Sequence, residues 1–235
     1  MTHPPREGVR DAPAGRGLII AMDGPSGAGK GTVAREVARR LQYRHIDTGA
    51  MYRAVAWKAL REGVDPSDEQ AGADIARRAD IVVGDGVVLV DGHDVARAIR
   101  TPEIDTAAAA VARQPRVREI LIMQQREMGR AGGVVMEGRD IGTVVFPDAD
   151  VKIYLDATPE ERARRRAHDL AHSLSDGSAT VGDVATALEA RDRSDRTRST
   201  SPLMRAGDAV EIDTTGLAVE DVIQRVLALV GERQR

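Results

Sequence analysis

The stretch LIIAMDGPSGAGKGT, residues 18–32, constrains this 235-residue chain more than any other. A short apolar run leads into a glycine-rich turn, after which Val33, Val37 and Leu41 recur at helical spacing, so the segment reads as strand, loop and helix. Gly24, Gly29 and Lys30 fit the phosphate-binding pattern G-x-x-x-x-G-K, but the next residue is Gly31 and the usual hydroxyl arrives one position late, at Thr32. A loop of this kind turns backbone N–H groups toward a phosphate chain because no Cβ blocks the approach, and the following helix adds its positive end. Gly24, Pro25, Ser26, Gly27, Ala28, Gly29, Lys30, Gly31 and Thr32 are the candidate phosphate cradle.

The same rhythm returns along the chain. His45-Ile46-Asp47 leads into Thr48-Gly49 and a helix marked by Met51, Val55 and Ala59; residues 134–136, 151–155 and 210–212 are further apolar runs. Thr158-Pro-Glu-Glu161 is a helix start with a capping Thr, a Pro in the first turn and a Glu three residues after the cap. Strands alternating with helices predict a P-loop type α/β fold: a parallel sheet of about five strands covered by helices on both faces, with ligands at the carboxyl ends of the strands. Between about 65 and 115 the rhythm breaks, and Ile81 to Val90 reads as two strands around a Gly-Asp-Gly turn, so an inserted subdomain is expected there. Residues 1–17 lack a signal-like apolar centre and read as a disordered tail ahead of one domain over 18–235; Ser173 to Gly182 reads as a mobile connection.

Composition excludes several classes. The net charge is -3 from 34 basic and 37 acidic residues, so no whole-chain field favours nucleic acid or an anionic membrane, and no apolar run is long enough to span a bilayer. Aromatics are 2% of residues, which argues against a base-stacking platform for single strands. There is no cysteine, compatible with a reducing cytoplasm. Neither does the chain contain asparagine, so a GTPase-type Asn-Lys-x-Asp segment is impossible. Gly31 also removes the hydroxyl that holds Mg²⁺ in GTPases and motor-type sites.

GPSGAGKGT at 24–32, DTGAMYR at 47–53, EGRDIGTVVFPDA at 137–149 and RDRSDRTR at 191–198 together resemble the bacterial cytidylate kinases, nucleoside monophosphate kinases that move phosphate from ATP to CMP or dCMP. The resemblance runs from about Leu18 to the end, and it accounts for Gly31, since Gly-Lys-Gly-Thr is characteristic of these kinases. It implies an inserted subdomain that binds the monophosphate, a lid over about 158–200, ATP as donor and Mg²⁺ held largely by phosphates and water.

The acceptor site then falls on loops that follow strands. Thr48, beside Asp47, and Arg53 match a hydroxyl and an arginine that bind the acceptor, although a serine is usual at Thr48. The resemblance implies Arg139 for phosphate, Asp140 for the cytosine edge, Arg118 for the pyrimidine pocket, Arg191 and Asp195 for the ribose and Arg198 for the phosphates. Glu137 ends its strand where related kinases often have Asp, and its carboxylate is a candidate for the outer shell of Mg²⁺. Ala109 aligns with a serine that commonly contacts the acceptor. Arg162, Arg165 and Arg166 share a helix face by spacing, either as part of the lid or as a solvated surface. Lys30, Arg139 and Arg198 are the candidates for stabilising the transferring phosphoryl group. No histidine is assigned a chemical role, because the second pKa of a phosphate monoester, near 6, leaves the acceptor ionised without a general base. A monomer in the cytoplasm is expected. Kinases preferring UMP or AMP, a non-catalytic nucleotide switch and an arginine-rich RNA-binding protein remain as alternatives.

Overall fold

In a computed structural model, residues 17–173 and 180–234 are described; the expected tail and the centre of the 173–182 connection lie outside them. Five parallel strands, β1 (Ile19–Asp23), β2 (Arg44–Asp47), β6 (Val134–Glu137), β7 (Val151–Asp156) and β8 (Val210–Asp213), form a sheet in the order β2-β6-β1-β7-β8. The side chains of β1 alternate between two apolar layers. Ile20 and Met22 meet Val33 and Val37 of α1 (Lys30–Leu41) and Val222 and Val226 of α8 (Val219–Arg233). Ile19 and Ala21 face the opposite layer with Met136, Ile141 and Val145. Burial on both faces explains why these strands read as continuous apolar runs.

The remaining elements gather at the β2 edge. Helices α2 (Thr48–Arg61), α3 (Glu69–Arg78), α4 (Pro102–Val111) and α5 (Pro115–Gly129) enclose an antiparallel sheet of β3 (Ile81–Gly84), β4 (Val87–Val90) and β5 (His93–Asp94). They share one apolar cluster running from Ala50 to Leu121. The β3–β4 turn is Asp85-Gly86 with φ of 50° and 85°, both in the left-handed region that a two-residue hairpin of type I′ requires. Its Asp85 exchanges two 3.1 Å hydrogen bonds with the backbone of His45, one through each main-chain group, and so covers the outer edge of β2.

Helices α6 (Pro159–Ser173) and α7 (Val181–Thr197) pack on each other beyond β7. Thr158 caps α6 through its side-chain oxygen, and Thr180 with Asp183 forms a reciprocal capping box at α7. Register pairs Met22 and Asp47 with Glu137, and Asp23 with Tyr154, so β1, β2, β6 and β7 end at one rim.

Candidate active site

The glycine loop lies between β1 and α1, with Gly24, Gly27 and Gly29 at φ of 144°, 80° and 89°. At Gly24 a Cβ would stand 2.0 Å from the carbonyl oxygen of Leu155, so the loop rests directly on β7. Gly29 is the left-handed residue before α1, with no side-chain cap, and leaves the N–H groups of the first helical turn available to an anion. Lys30 is buried, and its Nζ donates to the Pro25 carbonyl at 2.6 Å across the loop. Burial, reinforced by nearby Arg139, pulls its pKa down to about 7.

Gly31 is explained by what stands opposite it. A Cβ there would lie 3.3 Å from Glu137 Oε1, so the Glu137 carboxylate fills the space that a Ser or Thr side chain would need. That same oxygen is held by His45 Nε2 at 2.9 Å, and both residues are buried. Thr48 Oγ1 donates to the Glu137 carbonyl at 2.7 Å, while Asp47 caps α2 by accepting the Ala50 N–H at 3.1 Å. Thr48 therefore braces the end of β6, its proton committed.

Two carboxylates organise the arginines beyond this rim. Asp140 accepts from Arg118 at 2.5 Å and Arg198 at 3.4 Å; Asp195 accepts from Arg139 Nε at 2.9 Å, with Arg191 and Arg198 each 3.6 Å away. Burial lowers the pKa of Arg198 and of Arg191; Arg118 adds to the effect at Arg198, as Arg139 does at Arg191. Positive groups crowded in this way gain from an anionic ligand. Arg118 also stands 5.3 Å over the Tyr52 ring.

Arg162, Arg165 and Arg166 of α6 go to three destinations. Arg162 forms a buried ion pair with Asp192 of α7, and the two grip one residue of the glycine loop from both sides: Arg162 donates to the Ser26 carbonyl at 3.1 Å and Asp192 accepts the Ser26 N–H at 3.2 Å. Arg165 donates to Thr214 Oγ1 at 2.9 Å and to its carbonyl at 2.7 Å. Arg166 reaches Asp105 of α4. Asp23, buried at the end of β1, accepts the N–H groups of Ile141 and Gly142 at 2.8 and 2.7 Å and so holds a π-helical turn, Ile141–Val145, directly after Arg139-Asp140. Burial raises the Asp23 pKa to about 6 against those bonds.

The glycine loop and the arginines beyond the rim line one cleft of about 760 Å³, within the range of small-molecule sites. Ser26 to Thr32, Thr48, Arg53, Arg118, Arg139, Asp140, Arg191, Asp195 and Arg198 all border it, as do Asp47 and Glu137; Gly24 and Pro25 shape the loop behind it. Sequence reasoning missed His45, Asp105 and Asp192. His45 was legible as a buried strand histidine facing a predicted carboxylate; Asp105 and Asp192 carry no local signal, since their partners lie 52 and 30 residues away.

The sequence profile of the family described as Cytidylate kinase matches residues 20–232. The cytidylate kinase of Geobacter sp. (strain M21) is 50% identical over 222 residues, covering 92% of this chain and 94% of the relative. That of Solibacter usitatus is 47% identical over 216 residues, 92% and 93% of the two chains. Among solved structures, an uncharacterized protein from Eubacterium ventriosum matches with a TM-score of 0.50 at 11% identity, covering 90% of this chain and 96% of that one, a likeness of fold alone.

Proposed function

This chain belongs to the cytidylate kinase family and transfers the γ-phosphate of ATP to CMP or dCMP, and we propose the following division of labour among its residues. The observation that carries it is the single cleft: a glycine loop with a buried lysine on one wall, and on the other a set of arginines from loops and helices that are far apart in sequence.

Gly24 to Thr32 cradle the donor phosphates, with Lys30 and the N-terminal turn of α1 as the charged parts. Arg53 binds the acceptor phosphate beside the start of α2. Asp140 and Arg118 read the cytosine edge, Asp195 and Arg191 hold the ribose, and Arg139 and Arg198 neutralise the phosphates. Ala109 has no hydroxyl to offer, and Tyr52 borders the same cleft as Arg118. Helices α2 to α5 with their small sheet serve as the acceptor-binding unit, and α6 with α7 as the lid.

Phosphoryl transfer needs in-line placement and stabilisation of charge on the moving group, and Lys30, Arg139 and Arg198 supply that charge. No protein base is required, because the acceptor oxygen is already ionised at neutral pH. Mg²⁺ would be held by the donor phosphates and water, with Glu137 ordering its shell, and would supply positive charge to offset that of the phosphates. Glu137 suits that outer role, since its buried carboxylate faces Gly31 of the glycine loop and is oriented by His45 Nε2 on Oε1 at 2.9 Å.

The test is ADP formation from ATP with CMP, dCMP, UMP and AMP in parallel. CMP and dCMP should exceed UMP and AMP by at least about tenfold in kcat/KM, the discrimination expected from buried groups that pair with one base edge only. Equal turnover of AMP would sink the base assignment of Asp140 and Arg118. We place the enzyme in the cytoplasm, as a monomer; among the described residues no helix is long and apolar enough to cross a membrane.

A further inference from the structure

Three arginines from three helices meet at one aspartate that no sequence motif marks, two on its carboxylate and one on its backbone carbonyl. Asp105, on α4, accepts Arg53 Nε at 2.9 Å through one oxygen and an N–H of Arg166 through the other, while its backbone carbonyl accepts from Arg191 at 3.1 Å. Arg53 belongs to α2, Arg166 to α6 and Arg191 to α7, so the acceptor-side helices and the α6–α7 pair are tied together at this residue. The Asp105 side chain is 27% exposed. Burial alone would raise its pKa, but Arg53 and Arg166 more than offset that and hold it below the ordinary carboxylate range, so the charge that binds them persists at neutral pH.

The geometry at Arg53 is directional. Its Nε is taken by Asp105, which leaves both terminal nitrogens free of that bond, and NH1 lies 3.1 Å from where a Cβ on Gly49 would stand, at the first turn of α2. A guanidinium gripped at Nε presents its outer edge, the edge that forms paired hydrogen bonds with a phosphate. Alone, a partly exposed Arg–Asp pair is weak and mobile. With Arg166 on the second oxygen and Arg191 on the carbonyl, the carboxylate has little rotamer freedom left.

We propose that Asp105 is a positioning residue for the acceptor nucleotide: it aims Arg53 at the acceptor phosphate, and it does so fully only when Arg166 and Arg191 dock on it, so that docking of α6–α7 and acceptor binding are one linked step. The inference rests on the reading of Arg53 as an acceptor ligand.

Steady-state kinetics on the full chain test it, with Asp105→Ala, Asp105→Asn, Arg166→Ala, Arg53→Ala and the Asp105→Ala/Arg166→Ala double variant. Both Asp105 variants should raise KM for CMP about tenfold, with kcat within about threefold and KM for ATP unchanged. The double variant should be no worse than Asp105→Ala alone, because both changes break one contact. The proposal is overturned if CMP KM stays within about twofold in both Asp105 variants, or if kcat, ATP KM and melting temperature all deteriorate together in the isosteric Asn variant, or if the double variant is additive. Unchanged CMP KM in Arg53→Ala would instead defeat the acceptor-site reading; a raised KM there with normal Asp105 variants defeats this inference alone.

Discussion

At the scale of single residues, Lys30 is held in a state that only a ligand relieves. Its ammonium is buried against Arg139, and its pKa of about 7 means that it is largely neutral at pH 8 in the free chain. Phosphate oxygens favour the charged form, so ATP binding at pH 8 should take up close to one proton. Calorimetric titrations in buffers of different ionisation enthalpy measure that uptake, and it should vanish in Lys30→Met. Lys30→Ala should lower kcat by about 10²–10³, the loss typical of removing one preorganised charge-stabilising donor, with CMP KM little changed. Near-normal turnover would remove Lys30 from the chemistry. Gly31 makes a separate prediction. Adding a methyl group there presses on Glu137 Oε1, which cannot retreat without loosening its bond to His45. Gly31→Ala should therefore destabilise the chain by about 1 kcal/mol, the low end of overpacking costs, and should reduce kcat/KM for ATP; urea denaturation and ATP kinetics read the two effects.

At the scale of elements, the way α6 and α7 are fastened to the glycine loop sets the cost of disturbing them. Arg162 and Asp192 are both buried, and removing one partner leaves the other charge without compensation. Asp192→Ala should cost about 3–5 kcal/mol in chemical denaturation. It also frees the Ser26 N–H, so KM for ATP should rise in the fraction that remains folded. A loss below about 1 kcal/mol would show that the pair is dispensable. Elements also differ in how far the sequence reveals them. The glycine loop, α1, the β3–β4 hairpin and the capped start of α6 were legible because each is specified by neighbours in the chain: glycines, helical spacing, Asp-Gly, Thr-Pro-Glu-Glu. The turn at Ile141–Val145 was not. IGTVV is rich in β-branched residues and carries no helical signal, yet it closes as a π-helical turn because the Asp23 carboxylate, 118 residues away, takes two of its N–H groups. Arg162, Arg165 and Arg166 of α6 show the same limit. Their spacing places them on one face, but Asp192, Thr214 and Asp105 decide where each one goes, and those partners come from three other segments.

At the scale of the whole molecule, charge is unevenly spent. The chain carries a net -3, while the cleft collects Lys30, Arg53, Arg118, Arg139, Arg166, Arg191 and Arg198 against far fewer carboxylates. Balanced composition thus conceals a strongly cationic interior that only the fold assembles. Polyanions that fit the cleft should stabilise the chain well beyond their ionic strength. At a free concentration a hundred times Kd, ATP should add about 2.7 kcal/mol, or roughly 5–10 °C in melting temperature for a chain of this size. Sodium chloride at matched ionic strength should not reproduce the shift, and its failure to differ from ATP would refute the cleft as a polyanion site.

The Asp85 turn bears on how this molecule behaves in a crowded solution. A parallel sheet ends in two strands with unpaired backbone groups, each a template on which another chain can add. At β2 the hairpin of the same chain already takes the His45 N–H and carbonyl, so that template is occupied from within. At β8 the edge is only four residues long and carries exposed Glu211 and Asp213, a short and charged edge of the kind that disfavours addition of another strand. One edge is plugged and the other is short and charged, so both ends of the sheet are guarded against strand-by-strand addition.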